Sequence, residues 1–369
     1  MLGRAIKIGH HPDYFLFALI CLLTIGGLVI LASASSDLGK LRFNDAYYYL
    51  KHQLIYGLSI GILGFILGIK INYQFYKRIA LVLLLINLAL LALVFGPMGE
   101  SIGGASRWLT IGLLTFQPAE LLKLTFILYL AAWLSNPRVN RTQNIWEGLL
   151  PFFVICGTIG GMLLFQPATT TFIILIAAGM IVYFLSGVSI RYVFITGILG
   201  ALTVGLVIYS TPYRWQRIMN YIRPTEDTRG ANYQINQALI TIGSGGLWGM
   251  GYGESVSKAT TLPTPTDDAI FAVAAQELGF AGASTLVVLF GILVFRMLWL
   301  AKNLRDRFGQ LILVGFASII ALQSLINMGA ISGLFPLTGV PLPFGSYGGT
   351  ALAVFLTMSG ITLNASKYT

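Results

Sequence analysis

Runs of about twenty apolar residues, the length that crosses the hydrocarbon core of a bilayer, recur along the whole chain. No other property restricts its fold so tightly. Ten can be delimited, at approximately 14–34, 53–70, 78–96, 118–135, 147–165, 169–187, 190–210, 269–300, 309–334 and 347–366. Backbone N–H and C=O groups find no water inside hydrocarbon, so segments this apolar fold as helices. The expected fold class is an all-α polytopic membrane protein with about ten transmembrane helices, residues 1–369 forming one membrane domain. Composition agrees: only 10% of the residues are charged, against roughly 25% in a soluble domain. The first run is too long for the h-region of a cleavable signal peptide and reads as an ordinary span. Cys21 and Cys156 fall inside spans and read as small buried apolar residues rather than a disulfide framework.

Orientation follows from Lys and Arg placement. Ten spans put both termini on one side. With that side inside, the inner segments hold Arg4, Lys7, Lys70, Lys77, Arg78, Arg138, Arg141, Arg191, Arg296, Lys302, Arg305, Arg307 and Lys367. The short outer loops hold only Lys40, Arg42, Lys51 and Arg107. Both termini are therefore expected in the cytoplasm. The net charge of +10 partly reflects this inner excess facing anionic lipid and gives no reason to invoke nucleic acid.

Between spans 7 and 8 the chain turns polar over residues 211–268. Ordinary connections run about 2–8 residues, and longer ones are functional or disordered. This one carries Trp215, Tyr221, Tyr233, Leu239, Ile240 and Trp248, so it reads as an ordered extracytoplasmic loop, with a glycine run at 243–246 and two adjacent acids, Asp267 and Asp268. Ionisable groups inside spans are costly unless paired and default to functional hypotheses. Glu120 and Lys123, at i,i+3 in the fourth span, share a helix face and can pair; Arg107, Trp108, Gln117 and Pro118 cluster just before them. Glu277 falls on the opposite face of the eighth span from Asp268, which favours a packing or hydrogen-bonding role. Gln323 and Asn327, at i,i+4 in the ninth span, are amides of the kind that cross-link helices; Asn327 takes that structural reading, and Gln323 stays open. His10, His11 and His52 lack the spacing of a metal site. Residues 336–350 hold too many prolines and glycines for a regular helix, and such backbone at membrane depth is buried in protein or lines a cavity. It marks an outward-facing cavity.

These blocks resemble, over essentially the whole chain, the SEDS family (shape, elongation, division and sporulation), bacterial ten-span peptidoglycan glycosyltransferases whose branches include FtsW and RodA. Leu337-Thr338-Gly339 through Pro341-Leu342-Pro343-Phe344 and Ser346-Tyr347-Gly348-Gly349 is similar to the family's C-terminal signature. Arg107-Trp108 with Gln117-Pro118-Ala119-Glu120 and Lys123 resembles its fourth-span block. Tyr233-Gln234 with Gln237 and Ile242-Gly243-Ser244-Gly245-Gly246 resembles its glycine-rich loop. Leu262-Pro263, Asp268-Ala269-Ile270-Phe271-Ala272 and Glu277-Leu278-Gly279 resemble the region of its essential aspartate. Two positions depart. The family usually has Asp where Gln166-Pro167 is followed by Ala168, and Thr or Gly where Asp267 stands. Thr338 and Phe344 favour the FtsW branch.

The resemblance implies polymerisation of lipid II in the bacterial plasma membrane, with the active site outside. The 4-hydroxyl of one GlcNAc attacks the anomeric carbon of a lipid-pyrophosphate-linked MurNAc, with inversion, giving β-1,4 glycan and undecaprenyl pyrophosphate. Pyrophosphate leaves readily, so a single general base suffices where a glycosidase needs an acid as well. Asp268 is expected to be that base. Arg107, Lys123, Arg214 and Arg217 are candidates to hold phosphates, and Ser244 and Gly245 to offer main-chain amides to an anion. Glu120, Gln237, Gln323, Ser346 and Tyr347 complete the expected substrate-binding set. A Mg2+ or Mn2+ ion bridging Asp267 and Asp268 to pyrophosphate is chemically reasonable; no organic cofactor is expected. Expected partners are lipid II, membrane lipids and a class B penicillin-binding protein that would supply transpeptidation. The competing reading is a flippase or transporter of lipid-linked precursor. Against it, the chain shows no inverted repeat of interrupted spans. A non-catalytic scaffold is a third reading, against which the Asp268 block argues.

Overall fold

The computed structural model describes residues 11–97, 99–102, 105–111, 114–136, 145–223, 232–255 and 262–369. The basic residues Arg4, Lys7, Arg138 and Arg141, and His10, lie outside them. The helices are α1 (Tyr14–Phe43), α2 (Tyr48–Lys70), α3 (Tyr73–Leu93), α4 (Pro118–Leu134), α5 (Ile145–Phe165), α6 (Thr169–Leu185), α7 (Ile190–Ser210), α8 (Pro212–Ile222), α9 (Tyr233–Ser244), α10 (Ile270–Asn303), α11 (Arg307–Ile331) and α12 (Gly349–Ser366). Among the described residues, eight helices are long and apolar enough to cross a membrane unaided. The fourth and sixth expected spans, α4 and α6, are 17 residues each. All ten apolar runs have become helices. One feature went beyond expectation: an antiparallel meander, β1 (Gly99–Ile102), β2 (Ala105–Ile111) and β3 (Leu114–Phe116), joins α3 to α4.

Helix ends follow local chemistry. Asp13 caps α1 by accepting from the Leu16 N–H at 2.7 Å, and its other oxygen binds Arg296 on α10. Asp306 caps α11 through the Gly309 N–H. Pro118 and Pro212 open α4 and α8, where a missing N–H costs nothing. In the bundle, small residues replace the hydrophobic effect as the packing device. Gly57, Gly61, Gly64 and Gly68 recur along one face of α2 and lie against Gly349, Leu356, Thr357 and Ile361 of α12. The apolar windows of α11 and α12 are 78% buried, that of α7 only 6%. So α11 and α12 form the centre and α7 the outside.

One helix is broken. At Gly279 (φ 70°, ψ −172°) the α10 backbone leaves helical geometry, and the chain between α9 and α10 repairs the lost bonds. Met250 and Gly251 N–H groups donate to the carbonyls of Gln276 and Glu277, while Phe280 and Ala281 N–H groups donate to those of Gly246 and Leu247. Gly249 and Gly279 meet back to back with no room for a Cβ on either. Irregular backbone inside a membrane survives where protein satisfies its polar groups, and here the glycine-rich loop does so. Glu277 is buried and accepts a short hydrogen bond from Ser33 of α1, in line with its expected packing role.

Candidate active site

Asp268 sits in a turn just ahead of α10. Thr264 Oγ1 donates to its Oδ1 at 2.5 Å, and Gln234 Nε2, from the first turn of α9, reaches its Oδ2 at the long distance of 3.4 Å. The turn is closed by N–H groups of Asp267 and Ala269 on the Thr264 carbonyl. It is then held from two sides, by residues 346–347 and by α11. Ser346 Oγ donates to the Asp267 carbonyl, the Tyr347 N–H to the Thr266 carbonyl at 2.9 Å, and Asn327 Nδ2 to the Asp268 carbonyl at 2.9 Å. A side chain at position 339 would meet Asp268 Oδ2 at 3.8 Å, so Gly339 stands directly by the carboxylate.

Residues 336–348 are non-helical, as expected, but do not line a cavity throughout. Val340 and Leu342 to Ser346 are buried, with Leu342, Pro343 and Gly345 lining a small apolar cavity together with Leu23, Gly27, Ile270 and Phe271, while Pro336 to Gly339 form an open rim. That rim connects two groups. At Gly339 it borders Asp268; two residues earlier the Leu337 carbonyl accepts from Arg217 Nη1 at 3.2 Å.

Arg217 belongs to a cationic cluster built from two elements. Arg214 and Arg217 lie on one face of α8 and turn inward, Arg214 Nη2 reaching the Leu164 carbonyl at 2.8 Å. Arg107, on β2, spans the carbonyls of Gln166 (3.0 Å) and Pro167 (2.5 Å). Burial first, then the like charges of Arg217 and Arg214, partly offset by Tyr213, hold the Arg107 guanidinium below its usual value. Among the described residues, all their acceptors are carbonyl or hydroxyl oxygens and none is a carboxylate. Ala168, where the family pattern has Asp, follows immediately and gives α6 no side-chain cap.

Glu120 and Lys123 do pair, at 2.6 Å, with Lys123 wholly buried and 2.6 Å from Gln323 Oε1. Other expected residues hold structure around the site. Ser244 binds Gln276 of α10, and Gly245 lies against the Ala275 carbonyl where no side chain fits. Ser346 and Tyr347 brace the Asp turn, and the Tyr347 hydroxyl bonds His52 at 2.9 Å. Gln237 has no described bond to Asp268; Gln234, one turn earlier, takes that place. Thr264 and Gln234 are thus site residues absent from the expected set, although Gln234 stands beside Tyr233 in the glycine-rich block, and Asn327, expected to link helices, holds the Asp268 carbonyl. Among the described residues, no three His, Cys, Asp or Glu side chains converge. The carboxylates a cation here would meet are those of Asp267 and Asp268, and these face different neighbours.

A family model of the FtsW/RodA/SpoVE cell cycle proteins matches residues 13–369. The chain belongs to that family. Stage V sporulation protein E of Bacillus subtilis is 36% identical over 97% of both chains. The probable peptidoglycan glycosyltransferase FtsW of Trichlorobacter lovleyi is 35% identical over 99% of this chain and 96% of its own. Among solved structures, a chain of a peptidoglycan synthase complex that coordinates polymerization and crosslinking superposes with a TM-score of 0.80 at 29% identity, covering 96% of this chain and 97% of that one. Thermus thermophilus RodA, a rod shape determining protein, superposes at 0.71 and 28% identity, covering 96% of each chain.

Proposed function

We propose that this member of the FtsW/RodA/SpoVE family is a peptidoglycan glycosyltransferase that polymerises lipid II, with Asp268 as general base. The carrying observation is the Asp268 carboxylate. It is fixed by Thr264 and by main-chain bonds from α11 and residues 346–347, and one face of it borders the open rim at Gly339. The acceptor 4-hydroxyl gives its proton to Asp268 as its oxygen bonds to the anomeric carbon of the donor. The bond from that carbon to pyrophosphate breaks, and the leaving group keeps the electron pair. Such a base contributes about 10²–10⁴-fold.

Arg107, Arg214 and Arg217 supply the positive charge that departing phosphates need, on the far side of the same rim. Asp267 and Asp268 would be the residues to hold a Mg2+ or Mn2+ ion, which would supply Lewis-acid stabilisation of the leaving group. The excess of Lys and Arg on the opposite side supports a position of this end outside the cytoplasm. Thr338 and Phe344, with the FtsW relatives, favour a role in cell division over elongation. A class B penicillin-binding protein would be the cross-linking partner.

Polymerisation of lipid II by the purified protein in liposomes, beside Asp268→Asn, tests this reading. Glycan ladders from wild type and none from the variant are expected. Lipid II crossing the bilayer with no ladder under any condition would move the assignment to a flippase.

A further inference from the structure

A buried ion pair on α4 determines how an amide on α11 points, and that amide holds the segment beside the catalytic carboxylate. The Lys123 ammonium can only donate. It gives N–H groups to Glu120 Oε1 and Gln323 Oε1, each at 2.6 Å. With its oxygen committed, Gln323 has its NH2 group free for the Pro341 carbonyl, at 2.8 Å. The reversed amide would set NH2 against an ammonium and oxygen against a carbonyl, so the charge on α4 fixes the orientation. One turn along α11, Asn327 Nδ2 donates to the Val340 carbonyl at 2.7 Å and to the Asp268 carbonyl at 2.9 Å. Residues 340 and 341 are thereby gripped in succession, and residue 339 is the glycine that stands by Asp268 Oδ2.

We propose that Glu120, Lys123, Gln323 and Asn327 are positioning residues, one continuous column that sets Asp268 against the acceptor hydroxyl, and that they do not bind substrate. This rests on Asp268 being the base. It replaces the expectation that Glu120, Lys123 and Gln323 hold lipid II. Two observations favour the column. Lys123 and Gln323 are 0% exposed and Asn327 1%, leaving no surface for a ligand. Lys123 is taken up by Glu120 and Gln323, and the amides of Gln323 and Asn327 by the Pro341, Val340 and Asp268 carbonyls.

Gln323→Glu is the discriminating variant, because it keeps a partner for Lys123 and removes the NH2 group that Pro341 needs. Gln323→Glu, Lys123→Met and Asn327→Asp would be assayed as full-length protein with lipid II. A displacement of about 1 Å at a reacting group costs about 100-fold. We therefore expect kcat to fall by up to that factor, with KM for lipid II within about twofold of wild type. The double variant Lys123→Met/Asn327→Asp should be no worse than its poorer parent, as for residues acting as a unit. A raised KM with kcat kept, or additive losses, would show that Lys123 grips substrate and overturn the proposal. Deuterium uptake across residues 336–348 gives a readout independent of catalysis, and faster exchange in each variant is expected. Unchanged exchange defeats the column whatever the activity, whereas wild type making no glycan defeats the enzymatic reading instead. Should Lys123→Met fail to fold, Gln323→Glu carries the test alone.

Discussion

Asp267 and Asp268 are adjacent, yet their surroundings separate their roles. Asp268 meets Thr264 and Gln234; Asp267 accepts from the Thr266 hydroxyl at 3.1 Å and has Arg42 and Tyr347 nearby. The Asp267 side chain reaches solvent on one side and is crowded by protein on the others. Burial first, with the Asp268 charge and against the Thr266 bond and Arg42, pushes its carboxyl from 3.8 up to about 6. A carboxyl raised on folding binds its proton more tightly in the native state, so this contribution to stability is complete below about pH 4 and lost as pH rises through about 6. Asp267→Asn should therefore gain thermal stability over wild type above pH 6 and gain none near pH 4. Unfolding scans across that range check it, and a pH-independent offset would reject the assignment. Ala168 gives a second prediction. Ala168→Asp would cap α6, worth about 0.5–2 kcal/mol, and put a carboxylate beside the Arg107 cluster. Melting temperature should rise while KM for lipid II also rises; a lower KM would exclude these arginines as the phosphate site. Asp268 was legible in the sequence because a long motif surrounds it. Asn327 was not, because an amide in a span normally links helices, and nothing local shows that its carbonyl partner belongs to Asp268. Choosing Gln234 over Gln237 required knowing which turn of α9 meets the acid.

The apolar runs predicted every long helix, since hydrocarbon leaves the backbone no other regular solution. What the elements do to one another was less visible. The meander at residues 99–116 is too short and too close to the spans for alternation to show, yet it carries Arg107 to its place. The pairing of residues 246–251 with the break in α10 was equally hidden, because main-chain partners leave no mark on side-chain type. It makes a firm prediction. Gly279→Ala puts a Cβ at φ 70° and within 2.3 Å of the Gly249 nitrogen, where left-handed strain alone costs about 1–3 kcal/mol. Detergent-solubilised Gly279→Ala should melt well below wild type, and Trp248→Ala, at an exposed position of the same loop, should not.

Across the whole molecule, the chemistry is gathered at one end of a bundle whose centre is α11 and α12. The described residues include no soluble domain with a serine–lysine transpeptidase centre, so glycan made by the purified chain should remain uncross-linked and its synthesis indifferent to β-lactams. Cross-linked product from a homogeneous preparation would contradict that division of labour. The parts of the site are also far apart in sequence: Arg107 on β2, Arg214 on α8, Asp268 ahead of α10, Asn327 on α11 and Ser346 beyond it. During synthesis the aspartate therefore emerges well before the residues that hold it. A nascent chain halted anywhere before residue 346 would carry the acid without the brace that aims it, so the candidate site is complete only once α11 and the segment that follows it have been made.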